Sequence, residues 1–323
     1  IIRPYLHYLL SKEQPTFIPI KHRLFMAKDD YRALLKPDVI NTVSGLSLIS
    51  RVIVDGYLSG LNRSRRVGAG LEFSQYRGYE PGDDLRLLDW KMLARSGRYY
   101  IKQSEIDTHI TIKFIVDTSA SMLHKEEGLS KMEYANVLIA SLAHLAHSQG
   151  DAVGLLTVNN KQLETLQPAT GKSHFNRFLY QLLKLKNQGS WPERITSDQL
   201  HNRSHRELIF FITDLYEQSE EITNMITALK TSRNEVAVIH LLGKQELEFN
   251  YKGQVIFEDL ESGEKVKVNA RDARAQYVQA MQSSMTIIKE KLLSSGVGYD
   301  LFTLDKHLGE ALQLFLKKRA NLI

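Results

Sequence analysis

Residues 112–122, IKFIVDTSASM, constrain this chain more than any other stretch. Ile112, Phe114, Ile115 and Val116 are apolar and β-favouring without strict alternation, the mark of a strand buried on both faces at the centre of a parallel sheet. That strand ends on Asp117, followed at two-residue steps by Ser119 and Ser121. Open α/β sheets bind ligands in the crevice beyond their strand carboxyl ends, which puts one carboxylate and two hydroxyls at such a crevice. Oxygen donors with no Cys or His beside them suit a hard cation, Mg²⁺ or Mn²⁺, rather than zinc. Turn and helix-cap roles account for Asp and Ser equally well in isolation. A second carboxylate tips the balance: Asp214 follows another buried strand, residues 207–213 (ELIFFIT), so strand-then-Asp occurs twice.

The rest of the chain alternates strands with helices. A helix over 131–148 leads through Gly150 and Asp151 to a strand at 152–158, and Asn159–Asn160 is hairpin-turn chemistry, so 162–166 is expected to return antiparallel beside it. Phe175, Phe178, Leu179, Leu182 and Leu183 recur at helical spacing. A helix over about 217–231, a strand at 235–242, a helix over about 271–294, a strand at 299–304 and a helix from about Lys306 continue the pattern, which implies a mostly parallel sheet with right-handed crossovers. Residues 246–269 break it with strand-like pieces at 254–257 and 265–268 around Glu261-Ser262-Gly263, a β-hairpin insertion. Upstream, residues 1–40 carry Pro4, Pro15, Pro19 and Pro37 and read as short helices and extended pieces. Ile40, Val43, Leu46, Ile49, Ile53 and Leu58 predict an amphipathic helix over 39–61 running into Gly60. In the polar stretch 62–98, Asp83 or Asp84 caps a short helix through Leu85, Leu88 and Met92 that Gly97 ends, ahead of a strand over 99–105. The expected organisation is an α/β domain over residues 107–323 with its hairpin near 246–269, and a smaller N-terminal α+β segment over residues 1–106 packing on it.

Composition serves mainly to exclude. With 323 residues the chain has room for two domains and a large core. The absence of cysteine rules out a disulfide scaffold, thiolate catalysis and Cys-ligated zinc, and fits a reducing compartment, the cytoplasm. A net charge of +5 is mild and diffuse, short of a nucleic-acid footprint. No apolar run reaches the roughly 20 residues that span a bilayer. Ile1 rather than Met opens the chain, which leaves room for preceding residues, a signal or anchor among them.

The Asp117-x-Ser119-x-Ser121 loop, the Ile212-Thr213-Asp214-Leu215 loop and the strand order resemble the von Willebrand factor A domain with its metal-ion-dependent adhesion site. The stretch Arg77-Gly78-Tyr79-Glu80-Pro81-Gly82-Asp83-Asp84-Leu85-Arg86, continuing through Asp89-Trp90-Lys91 to Ala94-Arg95, resembles the bacterial family catalogued as the fifty-eighth domain of unknown function. Asp259-Leu260-Glu261-Ser262-Gly263 and Arg271 with Tyr277 are similar to the same family, and the likeness spans residues 38–320. It implies a Rossmann-like sheet of the von Willebrand factor A type flanked by helices. It also implies that Ser119 and Ser121 ligate the cation directly, with Asp117 and Asp214 acting directly or through water. A third hydroxyl comes from a loop before a helix; the spacing to Phe175 and Leu179 favours Ser173 over Thr170, with Lys172 beside it. The implied function is a protein-interaction module whose Mg²⁺ recruits an acidic side chain of a partner, working beside a MoxR-type AAA ATPase in complex assembly or chaperone-like activation.

Other motifs carry less. Gly171-Lys172-Ser173 ends like a phosphate-binding loop, but Leu166 stands where the first Gly belongs. Gly68-Ala69-Gly70 lacks the third Gly of a dinucleotide fingerprint. His201 and His205 have zinc-protease spacing without the intervening Glu, and these, like His144 and His147, read as solvated helix or loop positions. A phosphotransfer enzyme built on Asp117 would use a second Asp where Ser119 stands, which leaves a metal-dependent phosphoester hydrolase as the weaker alternative, beside a scaffold whose metal site is degenerate. Arg63, Arg65 and Arg66 have no aromatic platform for nucleic acid. The cluster Arg77, Glu80, Asp83, Asp84, Arg86, Asp89, Lys91 and Arg95 reads as an ion-pair and capping network.

Overall fold

Alternation of side chains along three strands decides the architecture. The computed structural model describes residues 35–64, 76–80, 88, 90–102, 109–192, 207–217 and 219–320. It begins with α1 (Pro37–Ile40), α2 (Val43–Ser64), β1 (Tyr76–Gly78), α3 (Trp90–Ser96) and β2 (Tyr100–Lys102). Next come β3 (Thr111–Asp117), β4 (Lys125–Glu126), β5 (Leu129–Ser130), α4 (Lys131–Ser148), β6 (Ala152–Val158), β7 (Leu163–Ala169) and α5 (Lys172–Leu183). The chain continues through β8 (Glu207–Thr213), α6 (Glu221–Leu229), β9 (Asn234–Leu242), α7 (Lys244–Glu248), β10 (Gln254–Glu258), β11 (Lys265–Asn269), α8 (Ala270–Ser294), β12 (Gly298–Thr303) and α9 (Gly309–Ala320).

The main sheet has the order β12-β9-β8-β3-β6-β7, parallel throughout except for β7. Ile112, Phe114 and Val116 of β3, Leu208, Phe210 and Ile212 of β8, and Ala237, Ile239 and Leu241 of β9 all feed one hydrophobic cluster. The intervening Ile115, Ile209, Phe211, Val236 and Val238 feed the other. Both faces are therefore covered, as a parallel sheet requires. On the first face lies α4, buried around nearly its whole circumference. A helix apolar all round needs a second cover, and α2 supplies it: Leu46, Ile49, Ile53 and Val54 join the same cluster as α4, α5 and α9. The second face takes α6 and the end of α8 through Ile222, Ile226, Leu229 and Leu292.

The α/β expectation holds, hairpin included: β10 and β11 pair antiparallel from Gln254–Asn269 to Glu258–Lys265. Boundaries differ in places. The second helix passes through Gly60 to Ser64, since a single Gly weakens a helix without ending it. The last helix starts at Gly309, after a turn held by Lys306 N donating to Thr303 O. Residues 1–34, Gly68 to Gly70, Asp83 to Leu85, and His201 and His205 lie outside the described residues. Among the described residues no helix is long and apolar enough to cross a membrane.

Candidate functional site

Chain direction around β3 creates the site. After β3 the connection runs through α4 to β6 on one side, whereas β8 lies on the other, so the carboxyl ends of β3 and β8 flank a topological switch point, where such sheets bind ligands. Asp117 ends β3, and Asp214 follows β8. Thr213 Oγ1 donates to Asp117 Oδ2 at 2.8 Å, and Ser119 N donates to Asp117 Oδ1 at 2.9 Å. A 3₁₀ turn over Ala120–Leu123 sets the two serine hydroxyls 2.9 Å apart, and Ser121 Oγ donates to Asp214 Oδ1 at 3.1 Å. Four predicted site residues, Asp117, Ser119, Ser121 and Asp214, thus meet in one buried cluster. Burial, and then the Asp214 charge, pushes Asp117 up to about 6 against the hydrogen bonds that favour its ionised form.

Sequence reasoning missed Lys131. Its Nζ lies 2.9 Å from Asp214 Oδ2 and 2.8 Å from Glu246 Oε1, with the side chain 3% exposed. Burial opposes its charge, but Asp214 and Glu246 outweigh it and hold the ammonium above its ordinary pKa. The signal was present as a capping box: Ser130 Oγ accepts from Glu133 N while Glu133 accepts from Ser130 N, which makes Lys131 the first residue of α4. A cation at a helix N-terminus opposes the macrodipole and calls for a carboxylate partner. Glu246 is placed by α7, whose first turn is held by Gln245 N donating to Glu126 Oε2 and by Gly243 N donating to Glu246 Oε2. His240 was missed too. Its Nε2 lies 2.9 Å from Asp214 O and its Nδ1 2.7 Å from Tyr299 OH, and burial pushes its pKa down to about 4.

Glu261, at the hairpin turn, is the third omission. Burial, then the Asp117 and Asp214 charges, pushes its pKa up to about 7, while the nearby Ser121 and Ser119 hydroxyls pull the other way. Its Oε1 is buried and has no hydrogen-bond partner among the described residues.

Ser173 is a correction. It sits exposed in the first turn of α5, beside Lys172 and after the exposed Thr170. Because β7 runs antiparallel, Ala169 lies opposite Val153 at the start of β6, whereas Asp117 lies opposite Val158 at its end. His174 Nε2, 2.7 Å from Val153 O, fixes α5 at that far edge. The strand between spans roughly 16 Å at about 3.3 Å per residue, too far for Ser173, Thr170 or Lys172 to join the cluster. The spacing to Phe175 and Leu179 found the helix correctly and the edge wrongly. The segment that returns to the site follows α5: Asn187 Nδ2 donates to Ser119 O, Gln188 N to Thr118 O, and Ala120 N to Gly189 O. Among the described residues of that segment the hydroxyl is Ser190, whose Oγ accepts from Asn160 Nδ2 at 3.1 Å. Gly189, at φ +66, has no room for a side chain, since a Cβ would stand 2.0 Å from Asn160 Oδ1.

His144 and His147 are half-buried rather than fully solvated: both pack on Phe175, His147 stacked at 5.0 Å. Of the upstream ion cluster, only Glu80, Lys91 and Arg95 have described side chains, all exposed.

The donor set, two carboxylates and two hydroxyls, is oxygen only and suits a hard cation. Among the described residues no group of three or more His, Asp or Glu is disposed to hold a metal, so any affinity here leans on hydroxyls.

Uncharacterized proteins of Mycobacterium tuberculosis and Mycobacterium bovis are 25% identical over 233 residues, covering 70% of this chain and 72% of theirs. Among solved structures, the conserved hypothetical protein BatB from Bacteroides thetaiotaomicron is similar at a TM-score of 0.43 and 14% identity, over 66% of this chain and 99% of that one. The SpRpn10 VWA domain is similar at 0.36 and 12%, over 64% and 95%. The model of the family described as protein of unknown function DUF58 matches residues 75–286, more than half of the chain, and the chain belongs to that family.

Proposed function

We propose that this chain is a protein-interaction module in which Asp117, Ser119, Ser121 and Asp214 hold Mg²⁺ or Mn²⁺ and present it to an acidic side chain of a partner. The observation that carries this reading is the gathering of those four residues at the switch point, with Asp117 raised by its burial and then by the second carboxylate, Asp214. When bound, a cation held mainly by neutral hydroxyls keeps residual positive charge and attracts an outside carboxylate. Ser119 and Ser121 orient the oxygen face, Thr213 and Ser119 N hold Asp117 in place, and His240 fixes the Asp214 backbone. The family resemblance supports a finer version, an accessory to a MoxR-type AAA ATPase in the bacterial cytoplasm.

The linkage test is calorimetric. Mg²⁺ at a hundred times its dissociation constant should stabilise the fold by about 2.7 kcal/mol, and Asp117→Ala should abolish the rise. Calorimetry showing no binding at millimolar metal would sink the reading.

The third hydroxyl is tested separately. Ser190→Ala should weaken the Mg²⁺ response severalfold, because the segment after α5 faces the serine loop, while Ser173→Ala should leave it unchanged. Sensitivity at Ser173 with none at Ser190 would overturn the placement.

One observation favours a second reading. Lys131 already supplies a positive charge to Asp214, as in a scaffold that has replaced its metal by an ammonium.

A further inference from the structure

The turn of the hairpin β10–β11 is tied to the loop that follows β8, and its construction is more specific than a surface loop needs. Asp259 builds the turn: its Oδ1 accepts from Glu261 N at 2.7 Å and Ser262 N at 3.2 Å, and its carbonyl accepts from Gly263 N at 2.8 Å. Tyr216, two residues beyond Asp214, ties that turn to the site by donating from OH to Asp259 Oδ2 at 2.8 Å. Near the turn end of β10, Phe257 packs on Phe249 at 5.4 Å, and Phe249 packs on Tyr277 of α8 at 4.5 Å. These contacts hold Glu261 at a turn anchored two residues from Asp214, within reach of the Asp117 and Asp214 charges and of the Ser121 and Ser119 hydroxyls. A turn residue with no further role would leave such a group in water, since a buried oxygen with no partner among the described residues, beside like charges, is costly.

We propose that Glu261 is a built-in occupant of the position a partner's carboxylate takes, so that the hairpin closes the site and must lift for a partner to bind. This rests on the reading of the site as one that recruits carboxylates. Lifting breaks no strand pairing of the main sheet. Among the described residues β10 and β11 form a two-stranded sheet of their own, with no pairing to the main sheet. Such a ribbon is marginal alone, and Ile256 and Val266 on it are exposed.

The test measures hydrogen exchange of the Glu261, Ser262 and Gly263 amides, with Mn²⁺ as probe, in the full chain. Mn²⁺ should slow these amides about tenfold in the wild type and not in Glu261→Ala, and water-proton relaxation should count about one more inner-sphere water on Mn²⁺ bound to the variant. Equal exchange and equal water counts in the two proteins, with Mn²⁺ bound to both, overturn the hairpin inference and leave the cation reading standing. A metal-free arm separates the opposite case. In chelator, Asp117→Asn should slow the turn amides severalfold by removing a like charge, and should do nothing in a Glu261→Ala background. If that coupling holds while Mn²⁺ fails to bind at millimolar concentration, the closed hairpin stands and the cation reading falls. If the coupling is absent and Mn²⁺ does not bind at millimolar concentration, both fall.

Discussion

Lys131→Met should cost the metal-free fold roughly 3–5 kcal/mol in chemical denaturation, because it strands two carboxylates that share one buried ammonium. Methionine approximates the aliphatic stem, so packing changes little and the loss is mainly of charge. Asp214 and Glu246 approach Nζ at 2.9 and 2.8 Å, and no bulk water replaces it at 3% exposure. Adding Asp214→Asn should recover part of the loss, since one unpaired charge then disappears. The variant also decides between the two readings of the site. If the cluster is a cation site, the removed ammonium leaves excess negative charge, and Mg²⁺ should restore more stability to Lys131→Met than it adds to the wild type. If Lys131 has taken over the role of a metal, Mg²⁺ restores nothing. A loss below about 1 kcal/mol would mean that water or relaxation already compensates the two carboxylates, contrary to their burial.

Most of the fold was legible because its signals are local. Strands β3 and β8 read as buried at both faces, and each ends at a carboxylate, so Asp117 and Asp214 could be placed on one edge from the alternation alone. The serines followed, being fixed by short steps from Asp117. Edge assignment failed at Ser173 because helical spacing carries no information about which end of a sheet a helix starts from. That depends on the antiparallel turn between β6 and β7, which reverses the chain once, so α5 starts at the far edge and the segment after it returns. Lys131, His240 and Glu261 escaped for a different reason. Each acts through a partner far away in sequence, Lys131 through Glu246 and Glu261 through Ser121, and no periodicity or motif reports such pairs. Only Lys131 left a local trace, a basic residue just inside a capping box.

Asp117→Asn should make the metal-free protein more stable at pH 8. Asp117 has its pKa raised from 3.8 to about 6 in the folded state, so its contribution is fully present below the unfolded value and is lost as pH rises through the folded one. At pH 8 the buried carboxylate therefore costs roughly 3 kcal/mol relative to its neutral form, at about 1.4 kcal/mol per pKa unit. Asparagine removes that cost and keeps an oxygen for Ser119 N. Its amide cannot accept from Thr213 Oγ1, which offsets about 1 kcal/mol. The net gain at pH 8 in chelator should be about 1–3 kcal/mol. It should shrink through pH 6 and vanish or invert near pH 4, where the wild-type carboxyl is protonated too. His240 runs the other way in both proteins: its pKa is lowered from 6.5 to about 4, so its contribution is present above 6.5 and is lost as pH falls toward 4. The variant should therefore lose stability steadily on acidification over that window, while the wild type stays flatter because the two groups oppose each other. Denaturation midpoints at pH 8, 6 and 4 in chelator check both trends. Mg²⁺ should reverse the order at pH 8, since the charge that burdens the empty fold is the one a cation needs. A variant less stable than wild type at pH 8 in chelator would show that Lys131 already offsets the charge of Asp117 as well as that of Asp214, which would favour the ammonium-held scaffold over the cation site.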